Sequence, residues 1–512
     1  MKMAIKRHGH RQATTWRTPR TRVGVLLLPA MLGSGALAIG CGSCGAPVTP
    51  NHVPAPRQRP NVLVIETDDQ TAQEMSVMRN VNFLIAAKGV TFKNSFVNFS
   101  LCCPSRATFL TGQYAHNHGV LSNDGPHGGY QTFERTHGKN DLPAWLLHAG
   151  YRTALIGKYL NGYGTRSPTF VPPGWSSWYA AVGHTDQQVY DYLLNENGHL
   201  VHYGTAPADF KQDVLTSKAV RLLGHVAPKP KPFFLWLTYT APHVGGPDPN
   251  PNPPHDCAHD AKPAPRHAGS FASWPLPKPP SFNEANVLDK VRNIRRRPPI
   301  GAGEVAQITQ AYRCELESLL SVDQGVRRII DELKRKRELA NTYVLFTSDN
   351  GFFHGEHRIT AGKVKPYEES IRVPLVIRGP GIPHGATSRS LVINADLAPT
   401  ITAVTGAAPR LAMDGRSLLP AARHPGALLP RRLLIEGRRQ GRAPAYTRFG
   451  AVRTQHDIYV AYRDGEKELY DLRRDPYELH NLVREPAYQR VAARLARSLR
   501  ELEKCSGVSC RR

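Results

Sequence analysis

Residues 61–69 read NVLVIETDD, a short apolar run that ends in two adjacent carboxylates, Asp68 and Asp69. Runs of this length, rich in β-branched residues, are typical of strands buried on both faces of a sheet. Four further runs share this character: YRTALI (151–156), PFFLWLTY (232–239), TYVLFT (342–347) and VPLVI (373–377). Amphipathic stretches such as residues 304–337 lie between them, and this alternation predicts an α/β fold with a mostly parallel central sheet flanked by helices.

Polar residues follow four of these runs directly. They are Asp68 and Asp69, Gly157 and Lys158, Pro242 and His243, and Asp349 and Asn350. In open α/β sheets, ligands bind beyond the carboxyl ends of the strands. Each ending taken alone also fits a residue that caps the next helix or turn. Four endings with complementary chemistry favour a shared site.

The composition excludes several classes of protein. Hydrophobic residues make up 40% of the 512 residues and charged residues 21%, which is enough apolar material for a large core and excludes wholesale disorder. A single long apolar stretch excludes a membrane protein with several spans. Eight cysteines are too few for a disulfide scaffold.

The chain is strongly basic, with a formal net charge of +25. Residues 1–40 carry seven basic and no acidic residues, so the remainder of the chain keeps a net charge of +18. Such a surface favours a polyanion, whether nucleic acid, anionic lipid or anionic glycan. A genome that encodes arginine freely would produce the same excess.

The N-terminus has the pattern of an export signal. Residues 1–22 are basic and polar, residues 23–40 are apolar with many small residues, and Cys41 follows. The sequence Ala38-Ile39-Gly40-Cys41 resembles a bacterial lipobox, although leucine is usual three residues before the cysteine. A lipoprotein, a secreted protein and an uncleaved anchor all remain open, and each places the body of the protein outside the cytoplasm. Residues 41–58 are rich in glycine and proline and are typical of a tether.

The body divides into a predicted catalytic domain, residues 59–425, and a C-terminal α+β subdomain, residues 426–512. The second region contains the short runs LLIEG, AVRTQHDIYVAYR and EKELYDL, followed by an amphipathic helix over residues 488–502. This order predicts a small antiparallel sheet with one helix. Residues 247–280 hold 11 prolines in 34 positions, so they form either a long ordered loop, which could cover the site, or a disordered insertion.

An exported chain permits disulfides. Cys505 and Cys510 flank a four-residue segment and could close a terminal loop, and Cys257 could pair with Cys314. Spacing alone does not determine this connectivity.

The most specific motif is LCCPSRATFLTG, residues 101–112. Its Cys-x-Pro-Ser-Arg followed by x-x-x-Leu-Thr-Gly resembles the signature of the formylglycine-dependent sulfatases at every defined position. Four more blocks agree: the early Asp-Asp, Gly-Lys, Ala-Pro-His, and Asp-Asn-Gly with a downstream lysine. The resemblance covers roughly residues 58–505. The block GKYLN from Gly157, and ELYDL from Glu468 with DPYEL from Asp475, look most like the N-acetylglucosamine-6-sulfatase, arylsulfatase and endo-sulfatase branch.

The resemblance implies an alkaline-phosphatase-like α/β sandwich and a hydrolase of sulfate monoesters. It implies that Cys102, rather than the structural Cys103, is oxidised to formylglycine by a formylglycine-generating enzyme. It also implies Ca²⁺, with Mg²⁺ as the other candidate. The implied metal ligands are Asp68, Asp69, Cys102 as formylglycine, Asp349 and Asn350.

Oxygen ligands of this kind suit hard divalent cations. Two adjacent carboxylates at a strand end also repel one another unless a cation joins them. The resemblance further implies that Arg106 holds the modified side chain, that Lys158, His243 and Lys363 bind sulfate, and that His243 or Lys363 protonates the leaving oxygen. Ser105 is predicted to serve modification and the local turn.

One departure leaves the base for sulfate release unassigned. Many arylsulfatases carry a histidine two residues after the lysine of the Gly-Lys block, where this chain has Leu160. Glu356 and His357 are candidates for that role. Asn117, His118, Asp124 and His127 are candidates for a sugar subsite or for an ordinary loop.

The leading prediction is therefore an exported sulfatase acting on a sulfated sugar, a glycosaminoglycan or an aryl sulfate. A formylglycine-dependent phosphodiesterase or phosphonate monoester hydrolase is the alternative enzyme, because that chemistry shares the fold and the modified cysteine. A surface polyanion-binding protein with an inactive site is the non-enzymatic alternative. Nucleic acid is not expected as a partner, since the chain contains no recognisable nucleic-acid-binding module.

Overall fold

The computed structural model describes residues 59–227, 230–246, 257, 259–428, 430–437 and 448–511. The predicted export signal, residues 1–40, and the predicted tether, residues 41–58, lie outside these described residues. Among the described residues, no helix is both long enough and apolar enough to cross a bilayer.

Fourteen strands are found in the described residues. They are β1 (Asn61–Asp68), β2 (Val90–Phe96), β3 (Arg152–Gly157), β4 (Ser177–Ala181), β5 (Tyr192–Glu196), β6 (His199–Tyr203), β7 (Phe233–Pro242), β8 (Thr342–Ser348), β9 (Leu375–Arg378), β10 (Ala386–Ile393), β11 (Leu433–Gly437), β12 (Phe449–Arg453), β13 (Asp457–Tyr462) and β14 (Lys467–Asp471). All five apolar runs quoted above contain a strand.

Twelve α-helices accompany these strands in the same residues. They are α1 (Arg79–Leu84), α2 (Cys102–Thr111), α3 (Ala115–His118), α4 (Gly129–His137), α5 (Leu142–His148), α6 (Lys211–Val226), α7 (Arg292–Arg295), α8 (Ala302–Arg335), α9 (Glu368–Ile371), α10 (Leu397–Thr405), α11 (Leu419–Arg423) and α12 (Gln489–Leu502). The predicted helix over residues 304–337 corresponds to α8, and the predicted terminal helix corresponds to α12.

The large sheet has ten strands in the order β10-β2-β9-β8-β1-β7-β3-β4-β5-β6. Strands β8, β1, β7, β3 and β4 run parallel to one another, and β10 runs parallel to β2. The antiparallel pairings involve β9, which pairs with β2 and β8, and the β4-β5-β6 edge. This mixed, mostly parallel sheet confirms the predicted α/β fold.

Residues of β1 alternate between two hydrophobic cores, one on each face of the large sheet. Val62 and Val64 pack in a core with apolar residues of α2, α4, α5 and α10. Leu63 and Ile65 pack in a core with α1, α6 and α8. Side chains on both faces of β1 are buried, so apolar residues are favoured on both. This explains why its sequence lacks the alternation of apolar and polar residues that is typical of a surface strand.

The small C-terminal sheet has four antiparallel strands in the order β11-β12-β13-β14, with α12 against it. The run AVRTQHDIYVAYR does not form one strand. A turn at residues 454–456 divides it into β12 and β13, and the Thr454 side chain receives a hydrogen bond from the Asp457 amide at 2.9 Å there. The predicted antiparallel sheet and helix are confirmed.

Both predicted disulfides form, Cys257–Cys314 and Cys505–Cys510. The first ties the proline-rich segment to α8. The described part of that segment, residues 257 and 259–280, contains no strand and one short 3-10 turn at Pro265–His267. Lys262 donates to the carbonyl of Gly245 at 3.2 Å, so the segment contacts the chain just after His243.

Gly157 allows β3 to approach β7 closely. Its φ is +114°, and a Cβ at this position would lie 1.9 Å from the carbonyl oxygen of Thr238. We expect Gly157→Ala to force β3 away from β7 and to lower the free energy of unfolding by about 3 kcal/mol. Chemical denaturation followed by circular dichroism measures this change.

Gly162→Ala is the matched control. Gly162 also has a positive φ, +80°, but a Cβ there would have no neighbour within 4 Å. Its substitution should cost about 1 kcal/mol from backbone strain alone. Equal effects of the two substitutions would contradict the close approach of β3 and β7.

Candidate active site

Four neighbouring parallel strands deliver the predicted site residues to one edge of the large sheet. In spatial order the strands are β8, β1, β7 and β3. Asp349 follows β8, Asp68 ends β1, His243 follows β7 and Lys158 follows β3. The polar residues that follow these four strands are far apart in the sequence but lie on adjacent strands of the sheet.

Hydrogen bonds tie the ends of β1 and β8 together. Asp69 has a positive φ of +73°, which turns the chain sharply after β1. Its backbone amide donates to Asp349 Oδ1 at 3.2 Å, and its Oδ1 accepts from Asn350 Nδ2 at 2.6 Å. These contacts hold the two acidic segments face to face.

Cys102 is the first residue of α2 and is buried beside these carboxylates. Its Sγ lies 3.5 Å from Asp68 Oδ1 and 3.1 Å from Lys363 Nζ. Burial, reinforced by the negative charge of Asp68, raises the pKa of the Cys102 thiol to about 12. The thiol is therefore protonated at neutral pH and is a poor nucleophile in this form.

Cys103 has a different environment. Its side chain packs in the core between α2 and the large sheet, and its backbone amide donates to Asn123 Oδ1 at 2.9 Å. Burial also raises the pKa of its thiol to about 12. These contacts support the prediction that Cys103 is structural.

Arg106 lies one helical turn after Cys102 and its side chain is fully buried. Nε donates to Asp349 Oδ2 at 2.9 Å, and Nη1 donates to the carbonyl of Lys158 at 2.9 Å. Nη2 lies 3.4 Å from Asp68 Oδ2 and 3.4 Å from Glu66 Oε1. All three nitrogen atoms of the planar guanidinium therefore have partners, and they link the ends of β8, β3 and β1.

Two lysines complete the cationic lining. Lys158 Nζ pairs with Asp68, and Lys363 Nζ pairs with Asp69. Burial disfavours a charged lysine, but the neighbouring carboxylates prevail and hold the pKa of each ammonium above its usual value. Both lysines are therefore charged and close to Cys102, where they can receive an anion.

His243 lies at the rim with a side chain 15% exposed. Its Nδ1 lies 2.8 Å from the carbonyl oxygen of Val244, which accepts a hydrogen bond from it in the tautomer that carries the proton on Nδ1. Nε2 faces Asp69 Oδ2 at 3.8 Å.

The donor set fits a hard divalent cation. One carboxylate oxygen from each of Asp68, Asp69 and Asp349 lies within 4.8 Å of the others. Asn350 Oδ1 is buried and has no hydrogen-bond partner among the described residues. An unpaired amide oxygen beside three buried carboxylates suits the all-oxygen coordination of Ca²⁺ or Mg²⁺.

Glu66 is a site residue that sequence reasoning missed. It is buried within β1, where it contacts Arg106 and accepts from Trp236 Nε1 at 3.4 Å. Burial raises the pKa of its carboxyl to about 8, against the opposing effect of Arg106. The available signal was a carboxylate inside an otherwise apolar strand.

The sequence left Asn117, His118, Asp124 and His127 open between a sugar subsite and an ordinary loop, and the structure gives their surroundings. His118 is buried and its ring bonds Thr108 at 3.0 Å, while Asn117 donates to Asp414 at 2.8 Å, so both support the fold. Asp124 and His127 lie in an exposed turn between α3 and α4. Leu160, at the position of the missing histidine, packs in the core.

Glu356 and His357, the candidate bases for sulfate release, are held by other partners. Glu356 Oε2 accepts from the His354 amide at 2.7 Å. His357 Nδ1 bonds Glu284 at 2.8 Å. Neither makes a hydrogen bond to Cys102, Lys158 or Lys363 in the part of the chain that the structure describes, so that assignment is not supported.

Comparison with known proteins agrees with this geometry. A family model described as Sulfatase matches residues 60–407, and one described as N-sulphoglucosamine sulphohydrolase, C-terminal, matches residues 355–505. The chain is 32% identical over 501 residues to the N-acetylglucosamine-6-sulfatase of Homo sapiens. The aligned region covers 90% of this chain and 87% of that protein.

The chain is also 33% identical over 371 residues to an extracellular sulfatase SULF-1 homolog of Drosophila melanogaster, covering 72% of this chain and 31% of that one. A Caenorhabditis elegans homolog is covered for 48% of its length, so this chain spans less than half of either protein. A solved structure of a protein in complex with its substrate D-glucosamine-2-N,6-O-disulfate has a TM-score of 0.71 and 26% identity, covering 87% of this chain and 98% of that one.

Arg106→Lys tests the junction of the three strands. A single ammonium cannot reach Asp349, Asp68 and Glu66 together, so buried carboxylates lose their partner. We expect the free energy of unfolding to fall by about 3–5 kcal/mol and the hydrolytic activity of the folded protein to fall by about 100-fold or more. Denaturant titration and initial rates measure the two effects.

Arg431→Lys is the matched control, because Arg431 is also fully buried and pairs with Asp396 away from the site. It should lower stability while leaving the activity of the folded protein intact. Wild-type activity and stability in Arg106→Lys would contradict the proposed junction.

Proposed function

The chain belongs to the sulfatase family, and on that premise we propose that it hydrolyses sulfate monoesters at the edge formed by β8, β1, β7 and β3. One observation carries this proposal. Cys102 lies between a trio of buried carboxylates, with the unpaired Asn350 Oδ1 beside them, and the charged ammonium of Lys363. A divalent cation could bind at the carboxylates and an anion could bind at Lys363, and both would be next to the Cys102 side chain.

We propose that Cys102 acts after oxidation to formylglycine by a formylglycine-generating enzyme. The motif at residues 101–112 and the position of Cys102 Sγ beside Asp68 and Lys363 support this. The hydrated aldehyde supplies two hydroxyls on one carbon, one to displace the alcohol from sulfur and one to expel the sulfate. The net reaction consumes one water and yields an alcohol and hydrogen sulfate.

Asp68, Asp69, Asp349 and Asn350 would hold the divalent cation, Ca²⁺ or Mg²⁺, together with the oxygen at position 102. Such a cation lowers the pKa of an oxygen nucleophile and offsets the charge of a sulfate oxygen. The all-oxygen donor set supports this assignment.

The remaining residues would bind the sulfate, position the site or transfer a proton. Lys158 and Lys363 would neutralise the sulfate oxygens with their buried charges, and Arg106 would fix the carboxylates relative to α2. Protonated His243 Nε2 or Lys363 Nζ would donate a proton to the leaving alcohol oxygen. The position of His243 at the rim, with Nδ1 fixed by Val244, supports it as the donor.

We propose a sulfated sugar as the substrate, of which an N-acetylglucosamine 6-sulfate residue or a sulfated glycosaminoglycan is the leading class. The names of the relatives and the net charge of +18 beyond residue 40 support this. Export, as a secreted or lipid-anchored protein, is proposed from the N-terminal pattern and the extracellular relatives. Among the described residues, no contact of this site specifically favours a phosphate diester over a sulfate ester.

Protein matured in a host that oxidises the sulfatase cysteine tests the proposal. We expect mass spectrometry of the tryptic peptide 94–106 to show an aldehyde at residue 102 and a thiol at residue 103. N-Acetylglucosamine 6-sulfate or an aryl sulfate should be hydrolysed, with a kcat/KM well above that for an aryl phosphate diester. Cys102→Ala should abolish turnover, whereas Cys103→Ala should retain it.

Three outcomes would overturn the assignment. An unmodified thiol at residue 102 in fully active protein would exclude formylglycine. A higher kcat/KM for the diester would favour the phosphodiesterase. Full turnover by Cys102→Ala would remove Cys102 from the reaction.

A further inference from the structure

A second cluster of ionisable side chains lies beyond the loop that carries Lys363. It joins His357 and Glu369, at the two ends of that loop, to Glu478 in the segment after β14. One ligand atom from each of the three lies within 4.8 Å of the others. This set, called the Glu478 cluster below, shares no residue with the proposed catalytic site.

Each member of the Glu478 cluster has one unpaired polar atom. These atoms are His357 Nε2, Glu369 Oε2 and Glu478 Oε1, all buried and without a hydrogen-bond partner among the described residues. His357 is 0% exposed and Glu478 1%. His357 Nε2 and Glu369 Oε2 are 3.7 Å apart, which is too long for a hydrogen bond. At this distance a proton on Nε2 would give an ion pair with Glu369 but no hydrogen bond, and Glu478 Oε1 would remain without a hydrogen-bond partner among the described residues.

The opposite atom of each side chain is fixed by the protein. His357 Nδ1 bonds Glu284 Oε2 at 2.8 Å, Glu369 Oε1 accepts from Ser281 at 3.1 Å, and Glu478 Oε2 accepts from the Glu368 amide at 2.9 Å. The His357 ring also stacks on Tyr367, with centroids 4.2 Å apart. A histidine whose far nitrogen bonds a carboxylate is the usual support of a metal-ligating imidazole.

We infer that His357, Glu369 and Glu478 form a second divalent-cation site, selective for a zinc-type ion. One imidazole nitrogen and two carboxylate oxygens form a ligand set that Zn²⁺ accepts at about 2.0–2.2 Å, whereas the catalytic set contains only oxygen. Tetrahedral ligands at that distance are about 3.4 Å apart, so the observed 3.7 Å needs little adjustment.

A cavity of about 220 Å³ is lined by Glu369 but not by His357 or Glu478, so it would offer an ion a path to the Glu369 side of the cluster. Its lining includes Glu369 together with Pro476 and Tyr477, which immediately precede Glu478. The cavity also reaches His354 and Thr71 on the opposite wall.

The site would act as a clamp. Its ion joins both ends of the loop of residues 357–369 to the C-terminal region through Glu478. Lys363, at the centre of that loop, contacts Cys102 and pairs with Asp69. Zinc bound by the Glu478 cluster would therefore position Lys363 without touching the substrate.

Metal analysis of the full-length protein tests this inference. After incubation with zinc and calcium and removal of free ions, we expect one equivalent of zinc per chain by inductively coupled plasma mass spectrometry. His357→Gln and Glu478→Gln should each lose that zinc and keep bound calcium. Glu317→Gln is the matched control, because Glu317 is also buried and its Oε1 accepts from the Phe271 amide at 3.0 Å, away from the cluster. It should keep both ions.

Anomalous scattering at the zinc edge from wild-type crystals provides the measurement that does not depend on a variant folding. We expect a peak bonded to His357 Nε2. No zinc peak at the cluster would overturn the inference. So would a peak confined to Asp68 and Asp349, or one at Glu74, Glu315 and His354, where His354 Nε2 already lies 2.6 Å from Glu315. Zinc retained by both His357→Gln and Glu478→Gln would also overturn it.

Discussion

The packing of the site depends on the pairing of buried charges at the end of β1. Asp68 and Asp349 are fully enclosed, and unpaired carboxylates in such a place would be strongly destabilising. Arg106 and Lys158 offset their charge, and Lys363 offsets that of Asp69. These contacts join α2 and the loop of residues 357–369 to the sheet edge, so the residues that stabilise the fold here are also those that would receive a cation and a sulfate ester.

Much of the fold is predictable from local pattern because the strands are short, apolar and buried on both faces. The run at residues 61–66 could be recognised as a central strand on that basis alone, and α8 and α12 follow from their helical periodicity. Two features required tertiary information. The antiparallel direction of β9 depends on how the chain returns to the sheet, and the division between β12 and β13 depends on a turn at Thr454 with no glycine or proline to mark it.

The predicted site residues fall into two groups. Asp68, Asp349, Lys158 and His243 could be grouped by their positions at strand ends, because parallel strands present their carboxyl ends at one edge. Cys102, Arg106 and Lys363 could be assigned only through the motif resemblance, and the contact of Lys363 with Cys102 spans 261 residues. Glu66 escaped notice because it lies inside an apolar run, and the burial of His118 could not be read from a histidine beside a motif. The Glu478 cluster combines segments whose proximity no local pattern encodes.

We propose that the acidic edge of the sheet is a divalent-cation site on which sulfate ester hydrolysis depends. The rate of sulfate ester hydrolysis by matured protein before chelation, after chelation and after the return of calcium or magnesium tests this dependence. We expect a loss of about 100-fold or more on removal of the ions, verified by metal analysis, and recovery when either ion is returned. Full activity in protein shown to be free of divalent cations would contradict it.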